Sequence, residues 1–210
     1  NVTVKAVLGS SADAYCSDNS LYVASSGTKD GAVYTSVTSF DISENGLVYK
    51  ASGSVDGELV SRYSMTEADG KFRIACRAYN ENGMMTTNIY TLDSSFGIVS
   101  KSEGLLPGVI AGAVKFDGSY ASIFENGETE PSLVVDLDKT ADSADKATGF
   151  MAAYVNSFGD DLMVGITSAE DSLKLELYGS GDGVKLNEIS FAQMQGVTSP
   201  ALTDKKAMLI

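Results

Sequence analysis

The chain has 210 residues, about the size of one large domain, and 43% of them are hydrophobic, which is typical of a globular protein. Lys and Arg total 15 against 28 Asp and Glu, and the resulting net charge of −13 argues against binding to nucleic acid or to an anionic membrane surface. There is no histidine, so Ser-His-Asp catalysis, Cys-His catalysis and His-ligated zinc are excluded within these residues. No apolar stretch approaches the roughly 18 residues of a transmembrane helix, so we expect no membrane insertion by this segment.

Short runs rich in Val, Ile, Tyr, Phe and Leu recur along the chain in a fixed order, between clusters of Gly, Asp and Asn. This pattern is typical of β-strands joined by tight turns. The turn of each unit contains an aspartate, and these are Asp18, Asp69, Asp117 and Asp160, at separations of 51, 48 and 43 residues. A period of about 40 to 50 residues with four strands per repeat is typical of propeller blades. The sequence therefore predicts an all-β fold, a β-propeller section of about four to five four-stranded blades.

The repeat also predicts how the chain is divided. Residues 1–210 are expected to form a single propeller section with blades at about 11–56, 57–107, 108–152 and 153–192. Residues 1–10 and 197–210 are expected to be strands of flanking blades. The chain is thus expected to be a section of a longer propeller, with a blade number that these residues do not set.

The two cysteines, Cys16 and Cys76, have a spacing that matches no metal-binding motif. The spacing favours two half-buried thiols, and a single disulfide between neighbouring blades is the alternative. No zinc site and no cofactor are predicted.

The innermost strands of a propeller line its central channel, and residues expected there are the candidates for ligand binding. They are Tyr15, Arg62, Tyr63, Lys115, Tyr154 and Asn156. Arg62 and Lys115 are notable because cations are few in this chain, and in a channel they would mark an anion-accepting spot. The alternative is that they offset nearby carboxylates at the surface.

Three aspartates, Asp41, Asp93 and Asp136, follow or end the third strand of a repeat. A glycan-active enzyme would need two carboxyl groups roughly 5 to 10 Å apart. Equivalent positions on successive blades would instead be spread around the rim, so we expect these residues to cap turns. No catalytic residue is predicted.

The acidic loop after the third strand of the third repeat contains Asp136, Asp138 and Asp142, with oxygens spaced as in a calcium loop. It lacks the glycine at the sixth position and the glutamate at the twelfth that an EF-hand requires. We expect a solvated acidic hairpin, and a weaker calcium site of another geometry is the alternative.

Several stretches resemble secreted bacterial proteins that carry a C-terminal β-propeller domain distantly related to WD repeats. The stretches are 51–57 (ASGSVDG), 62–75 (RYSMTEADGKFRIA), 104–108 (GLLPG), 134–137 (VVDL), 158–166 (FGDDLMVGI) and 199–202 (SPAL). The resemblance covers nearly the whole chain in the right order. It implies a propeller fold and an exported, envelope-associated location, with an anchor and earlier blades outside this sequence. It brings no catalytic motif.

These observations favour a non-catalytic binding module, displayed on or secreted from a bacterial cell, with a protein, peptide or glycan as its ligand. One alternative is a carboxylate-based glycan-active enzyme, although the absence of Trp argues against sugar stacking. The other is a structural or assembly domain, whose open sheet edges pair with the missing blades or with another copy.

Overall fold

The computed structural model describes residues 12–44, 46–126, 131–138, 154–158, 162–169, 172–179 and 184–192. All 16 regular elements in these ranges are β-strands, and they form four sheets. The chain divides into two compact units, residues 1–114 and residues 115–210, and each is described by itself. Within the described ranges, no helix has the length and apolarity to cross a membrane.

The first sheet is an antiparallel meander whose four strands are paired in chain order. Its strands are β1 (Asp13–Cys16), β2 (Ser20–Lys29), β3 (Ala32–Ser43) and β4 (Gly46–Asp56). Asp30 and Gly31 form the two-residue hairpin between β2 and β3, with φ of 52° and 84°. Positive φ at both positions is the geometry of the tight hairpin that Asp-Gly pairs favour.

The second sheet repeats this arrangement, with its first strand split into two pieces that both pair with the same neighbour. Its strands are β5 (Glu58–Leu59), β6 (Met65–Ala68), β7 (Lys71–Tyr79), β8 (Met85–Leu92) and β9 (Ile98–Leu105). The turn between the two pieces is held by the Ser64 amide, which donates to the Ser61 carbonyl at 2.9 Å. Asp69 and Gly70, predicted as a turn, form a second two-residue hairpin with φ of 52° and 68°.

The core of the first unit lies between these two sheets. Alternate residues of β2, such as Tyr22 and Ala24, are buried, as expected for a strand with one face in the core. The cluster of buried side chains joins residues of both sheets, namely Tyr22, Ala24, Val37, Val55, Leu59, Met65, Phe72, Ile74, Cys76, Tyr90, Leu92 and Phe96. Burial of these side chains from water is the main force that holds the two sheets face to face.

The third sheet contains β10 (Ala111–Asp117), β11 (Tyr120–Glu125) and β12 (Leu133–Asp136), and β10 runs across the boundary between the two units. The fourth sheet contains β13 (Tyr154–Phe158), β14 (Leu162–Ala169), β15 (Ser172–Gly179) and β16 (Lys185–Ala192). In the second unit, Val134 of the third sheet packs with Met163 and Tyr178 of the fourth. The all-β prediction is confirmed. The expected flanking strands at 1–10 and 197–210, and the fourth strand of the third repeat, lie outside the described residues.

The two cysteines are free thiols, so the disulfide alternative is not found. The predicted half-burial is wrong for both, because Cys16 is exposed on β1 whereas Cys76 faces the core and is fully buried. Burial raises the pKa of the Cys76 thiol to about 12, and its Sγ atom lies 3.7 Å from Thr35 Oγ1. Cys76 is therefore a protonated, inaccessible thiol at neutral pH.

We expect one thiol to react with Ellman's reagent in the native protein and two in the denatured protein. The thiolate is the reacting form, and Cys76 combines burial with a raised pKa, so its labelling should stay slow between pH 7 and 9. The measurement is the reagent's absorbance against time, with Cys16→Ser as the control that removes the fast reaction. Two fast equivalents in the native protein would contradict the burial of Cys76.

Candidate functional site

A pocket of about 210 Å³ lies in the first unit, between the first and second sheets. Strands β2, β3 and β4 form one wall, and the second wall comes from β6, β7, the hairpin between them and the turn that follows β8. The lining residues are Tyr22, Ser39, Lys50, Glu67, Gly70, Phe72, Asp93, Ser94 and Phe96. The pocket therefore combines an aromatic base with three charged side chains.

The base of the pocket is a fixed aromatic cluster. The rings of Tyr22 and Phe72 are stacked, with centroids 4.2 Å apart and an angle of 13° between their planes. Phe96 lies edge-on to both, at 6.3 Å from Tyr22 and 6.0 Å from Phe72. Such stacked and edge-to-face arrangements are the preferred geometries of aromatic pairs.

Phe96 enters this cluster because β4 has a glycine opposite it. A Cβ atom on Gly53 would lie 2.5 Å from the Cβ of Phe96, so any side chain there would displace the ring. Phe96 has a φ of 63°, which is uncommon for an aromatic residue. The residue is held in this conformation by its burial and by the turn that precedes it, so the local strain is offset by the packing around it.

Asp93 organises that turn. Its Oδ1 atom accepts hydrogen bonds from the amides of Ser95 at 2.8 Å and Gly97 at 2.9 Å. The Phe96 amide donates to the Asp93 carbonyl at 3.0 Å. The prediction that Asp93 caps a turn is confirmed, and the same carboxylate also lines the pocket.

Glu67, on the same wall of the pocket as Asp93, is fixed from two sides. Its Oε2 atom accepts a hydrogen bond of 2.6 Å from the Ser17 hydroxyl, and its backbone amide donates to the Tyr15 hydroxyl at 3.1 Å. Burial, with a smaller contribution from the nearby Glu67 carboxylate, raises the pKa of Tyr22 to about 12. Tyr22 is therefore neutral at physiological pH.

Lys50 is the cation of the pocket, and it is already paired. Its Nζ atom lies 3.0 Å from Asp41 Oδ1 on the neighbouring strand. Asp41 was predicted to cap a turn, and in the structure it forms this ion pair across β3 and β4 instead. The charges of the two side chains cancel, so the fixed charges left in the pocket are those of Glu67 and Asp93.

The residues predicted for the channel fall in several places. Tyr15 lies on β1, where its ring touches the aromatic cluster at 6.0 Å from Tyr22. Arg62 and Tyr63 lie together in the turn between β5 and β6, with Arg62 Nη2 2.5 Å from the Tyr63 hydroxyl and Cζ 4.7 Å from the ring centroid. Lys115 lies half-buried on β10 in the second unit.

Tyr154 and Asn156 lie on β13, the first strand of the fourth sheet, where they pair in register with Ile166 and Val164. The orientation of their side chains lies outside what the structure describes. Of the six predicted residues, the structure brings together Arg62 with Tyr63, and it places Tyr15 beside the pocket.

The candidate calcium loop is described in part. Asp136 Oδ1 accepts a hydrogen bond from the Asp138 amide at 3.0 Å, so the predicted turn cap at Asp136 is confirmed. The carboxylate of Asp138 accepts a hydrogen bond from the Ser119 hydroxyl. Asp142 lies outside the described residues. Within the part of the chain that the structure describes, no three Asp, Glu or Cys side chains are grouped so as to hold a metal ion.

Sequence reasoning missed most of the pocket. Asp93 was singled out as a turn aspartate, but Tyr22, Lys50, Glu67 and Phe72 were not. The available signal was the position of Tyr22 and Phe72, which stand four and three residues after the turn aspartates Asp18 and Asp69 of their repeats. That correspondence places both residues on second strands, but it does not say which faces of two sheets meet.

Repeated antiparallel meanders that pack face to face define this chain as a β-propeller protein. The chain belongs to the family described as Beta propeller domain, which matches residues 1–210.

Two curated relatives are uncharacterised archaeal proteins. One, from Methanocaldococcus jannaschii, is 33% identical over 165 residues, which cover 75% of this chain and 26% of the relative. The other, from Archaeoglobus fulgidus, is 28% identical over 162 residues, which cover 75% of this chain and 25% of the relative. The chain thus spans about a quarter of the length of these relatives, and its relatives are not confined to bacteria.

Two solved structures share low similarity with the chain. The subtype N10 neuraminidase-like protein of A/little yellow-shouldered bat/Guatemala has 7% identity and a TM-score of 0.42, covering 89% of this chain and 69% of its own. An uncharacterised protein of Listeria monocytogenes has 8% identity and a TM-score of 0.38, covering 90% of this chain and 70% of its own.

Proposed function

We propose that the chain is part of a non-catalytic binding module, and that the pocket between its first two sheets holds one group of a protein, peptide or glycan ligand. The observation that carries this proposal is the pocket itself. It has an aromatic base fixed by stacking and a small set of polar groups on its walls, which is the usual construction of a ligand site.

The non-catalytic part of the proposal is supported by how the two pocket carboxylates are used. Glu67 accepts a hydrogen bond from Ser17, and Asp93 accepts two from backbone amides. Both carboxylates therefore already accept hydrogen bonds that stabilise the folded protein. The competing glycan-active enzyme would release reducing sugar from oligosaccharides, and it would lose that activity in Glu67→Gln.

The proposed location is outside the cell, on its envelope or in the medium, as the resemblance to secreted bacterial propeller proteins implies. A membrane-impermeant biotin reagent applied to intact source cells tests this, because it labels only exposed proteins. Labelling of the full-length protein in intact cells supports the proposal, and labelling only after lysis contradicts it.

The binding function is tested by a thermal-shift screen of peptides and glycans against the wild type and two tryptophan variants. Ser94→Trp places a large ring on the pocket wall, whereas Ser95→Trp changes the next, exposed residue of the same turn, which does not line the pocket. A ligand of the pocket should raise the melting temperature of the wild type and of Ser95→Trp but not of Ser94→Trp. If no peptide or glycan shifts the wild type, the proposal is wrong.

An assembly domain is a second candidate, favoured by apolar side chains exposed on outer strands. Val48 and Tyr49 on β4 are 48% and 56% exposed, and Ile98 and Val99 on β9 are 54% and 53% exposed. Exposed apolar residues on edge strands are sites of association with another chain. Light scattering would then show a mass that rises with concentration, and Val48→Lys should abolish the rise while Ser54→Lys on the same strand should not.

A further inference from the structure

We infer that the pocket of the first unit takes a basic side chain, an arginine guanidinium or a lysine ammonium, presented by a peptide segment of a protein partner. This inference rests on the proposed function and specifies its ligand. The charges, the open hydrogen-bond acceptor, the size and the aromatic base of the pocket support it.

The pocket has a net negative charge. The pocket and its immediate ion pair contain one cation, Lys50, and three carboxylates. Lys50 and Asp41 neutralise each other at 3.0 Å, which leaves Glu67 and Asp93 with two negative charges. The chain as a whole carries a net charge of −13, so the surrounding potential also favours a cation.

The pocket contains a carboxylate oxygen that is open to a ligand. Asp93 Oδ1 is occupied by two backbone amides, but Oδ2 has no hydrogen-bond partner among the residues that the structure describes. Gly97 keeps this oxygen uncovered, since a Cβ atom there would lie 2.9 Å from Oδ2. A carboxylate oxygen held in place by its partner oxygen is a preorganised acceptor for a charge-assisted hydrogen bond.

The volume of the pocket suits a single side chain. A volume of 210 Å³ would hold about seven waters at roughly 30 Å³ each, so it has room for the seven more closely packed non-hydrogen atoms of an arginine side chain. Drug-sized ligands use pockets of about 300 to 1,000 Å³. The pocket therefore suits one anchoring side chain of a larger partner.

The aromatic base of the pocket favours a basic side chain over a sugar. Tyr22, Phe72 and Phe96 are 6%, 2% and 9% exposed, because the rings cover one another. A sugar stacks on an open ring face, and no such face is offered by these three rings. The methylene stem of arginine or lysine needs no open ring face, so it can lie along this apolar base while the cationic head reaches the carboxylates.

The experiment compares two pentapeptides, acetyl-Gly-Gly-Arg-Gly-Gly-amide and its citrulline analogue, by chemical-shift titration of the ¹⁵N-labelled protein. Citrulline has nearly the shape of arginine without its charge, so the pair isolates the charge on an unmodified protein. We expect the arginine peptide to bind at least about tenfold more tightly, with shifts centred on the turn of residues 93–97. The lysine peptide shows whether ammonium is accepted as well.

Substitutions of charged residues test whether the arginine peptide binds in this pocket. Asp93→Asn and Glu67→Gln each remove one pocket charge and should weaken the arginine peptide about fivefold to tenfold. Asp30→Asn and Glu44→Gln are the matched controls, because both residues are exposed and neither lines the pocket, and they should change affinity less than twofold. An ¹⁵N spectrum of each variant confirms that it is folded.

Equal affinity for arginine and citrulline, or no binding of any basic peptide, would overturn the inference. Arginine binding that survives Ser94→Trp would also overturn it, because the peptide would then bind elsewhere. If a neutral peptide or a glycan binds in a manner that Ser94→Trp abolishes, the proposed function stands and only the basic ligand is wrong. If nothing in the wider screen binds, the proposed function itself fails.

Discussion

Gly57→Ala is expected to lower the free energy of unfolding of the first unit by about 4 kcal/mol, whereas Gly31→Ala should lower it by only about 1 kcal/mol. Both glycines have positive φ, 99° and 84°, so both substitutions carry the strain of a left-handed backbone. They differ in their surroundings. A Cβ atom on Gly57 would lie 2.5 Å from the Arg77 carbonyl oxygen, whereas a Cβ atom on Gly31 would meet nothing within 4 Å.

The clash between a methyl group on residue 57 and the Arg77 carbonyl cannot be relieved by a small movement of residue 57. Its amide donates to the Val33 carbonyl at 2.9 Å and its carbonyl accepts from Thr35 Oγ1 at 2.7 Å, so the residue is tied to β3 while the new methyl group presses on β7. Gly57 also joins the last strand of the first sheet to the first strand of the second. The two sheets would have to separate locally to accept the substitution.

Urea unfolding followed by far-ultraviolet circular dichroism gives the measurement, with Gly31→Ala as the matched control. Equal midpoints for the two variants would show that the close approach to Arg77 is relieved at little cost. A large loss in Gly31→Ala would instead show that backbone strain alone sets both values.

The strands and many of the turns could be predicted from the sequence because their signals are local. Asp69 and Gly70 form the expected hairpin, and Asp93 and Asp136 cap turns as expected. The repeat pattern gave one turn aspartate for the first unit, Asp18, whereas the Asp-Gly hairpin of that unit is at Asp30–Gly31. Local turn chemistry was therefore a better guide than the expected layout of a repeat.

The pocket could not be predicted in the same way because it depends on how two sheets meet. Tyr22 and Phe72 stand 50 residues apart, and nothing in either strand shows that their rings stack. The alternation of a strand gives its two faces, but it does not say which face a neighbouring sheet covers. The positions of Arg62 and Tyr63 were also missed by reasoning from single strands. Both were expected on an innermost strand, but the first strand of their sheet is interrupted where they lie.

Phe72→Ala is expected to lower the free energy of unfolding of the first unit by about 3–5 kcal/mol, the usual cost of removing a buried phenylalanine ring. Phe72 is 2% exposed, and its ring contacts those of Tyr22, Phe96 and Tyr15. Tyr63→Ala is the control, because Tyr63 is 66% exposed and its loss should change stability by no more than about 0.5 kcal/mol.

Phe72→Leu separates the ring contacts from the volume. Leucine keeps most of the buried apolar volume, so it should restore much of the stability that alanine loses, leaving a deficit of about 1 kcal/mol from the lost aromatic pairs. Urea unfolding of the three variants gives the values. If leucine were as destabilising as alanine, the stacking of Phe72 on Tyr22 would matter more than its volume, and the base of the pocket would depend on ring geometry. If leucine matched the wild type, the cluster would act as simple apolar filling, and ligand binding at the pocket should then survive the substitution.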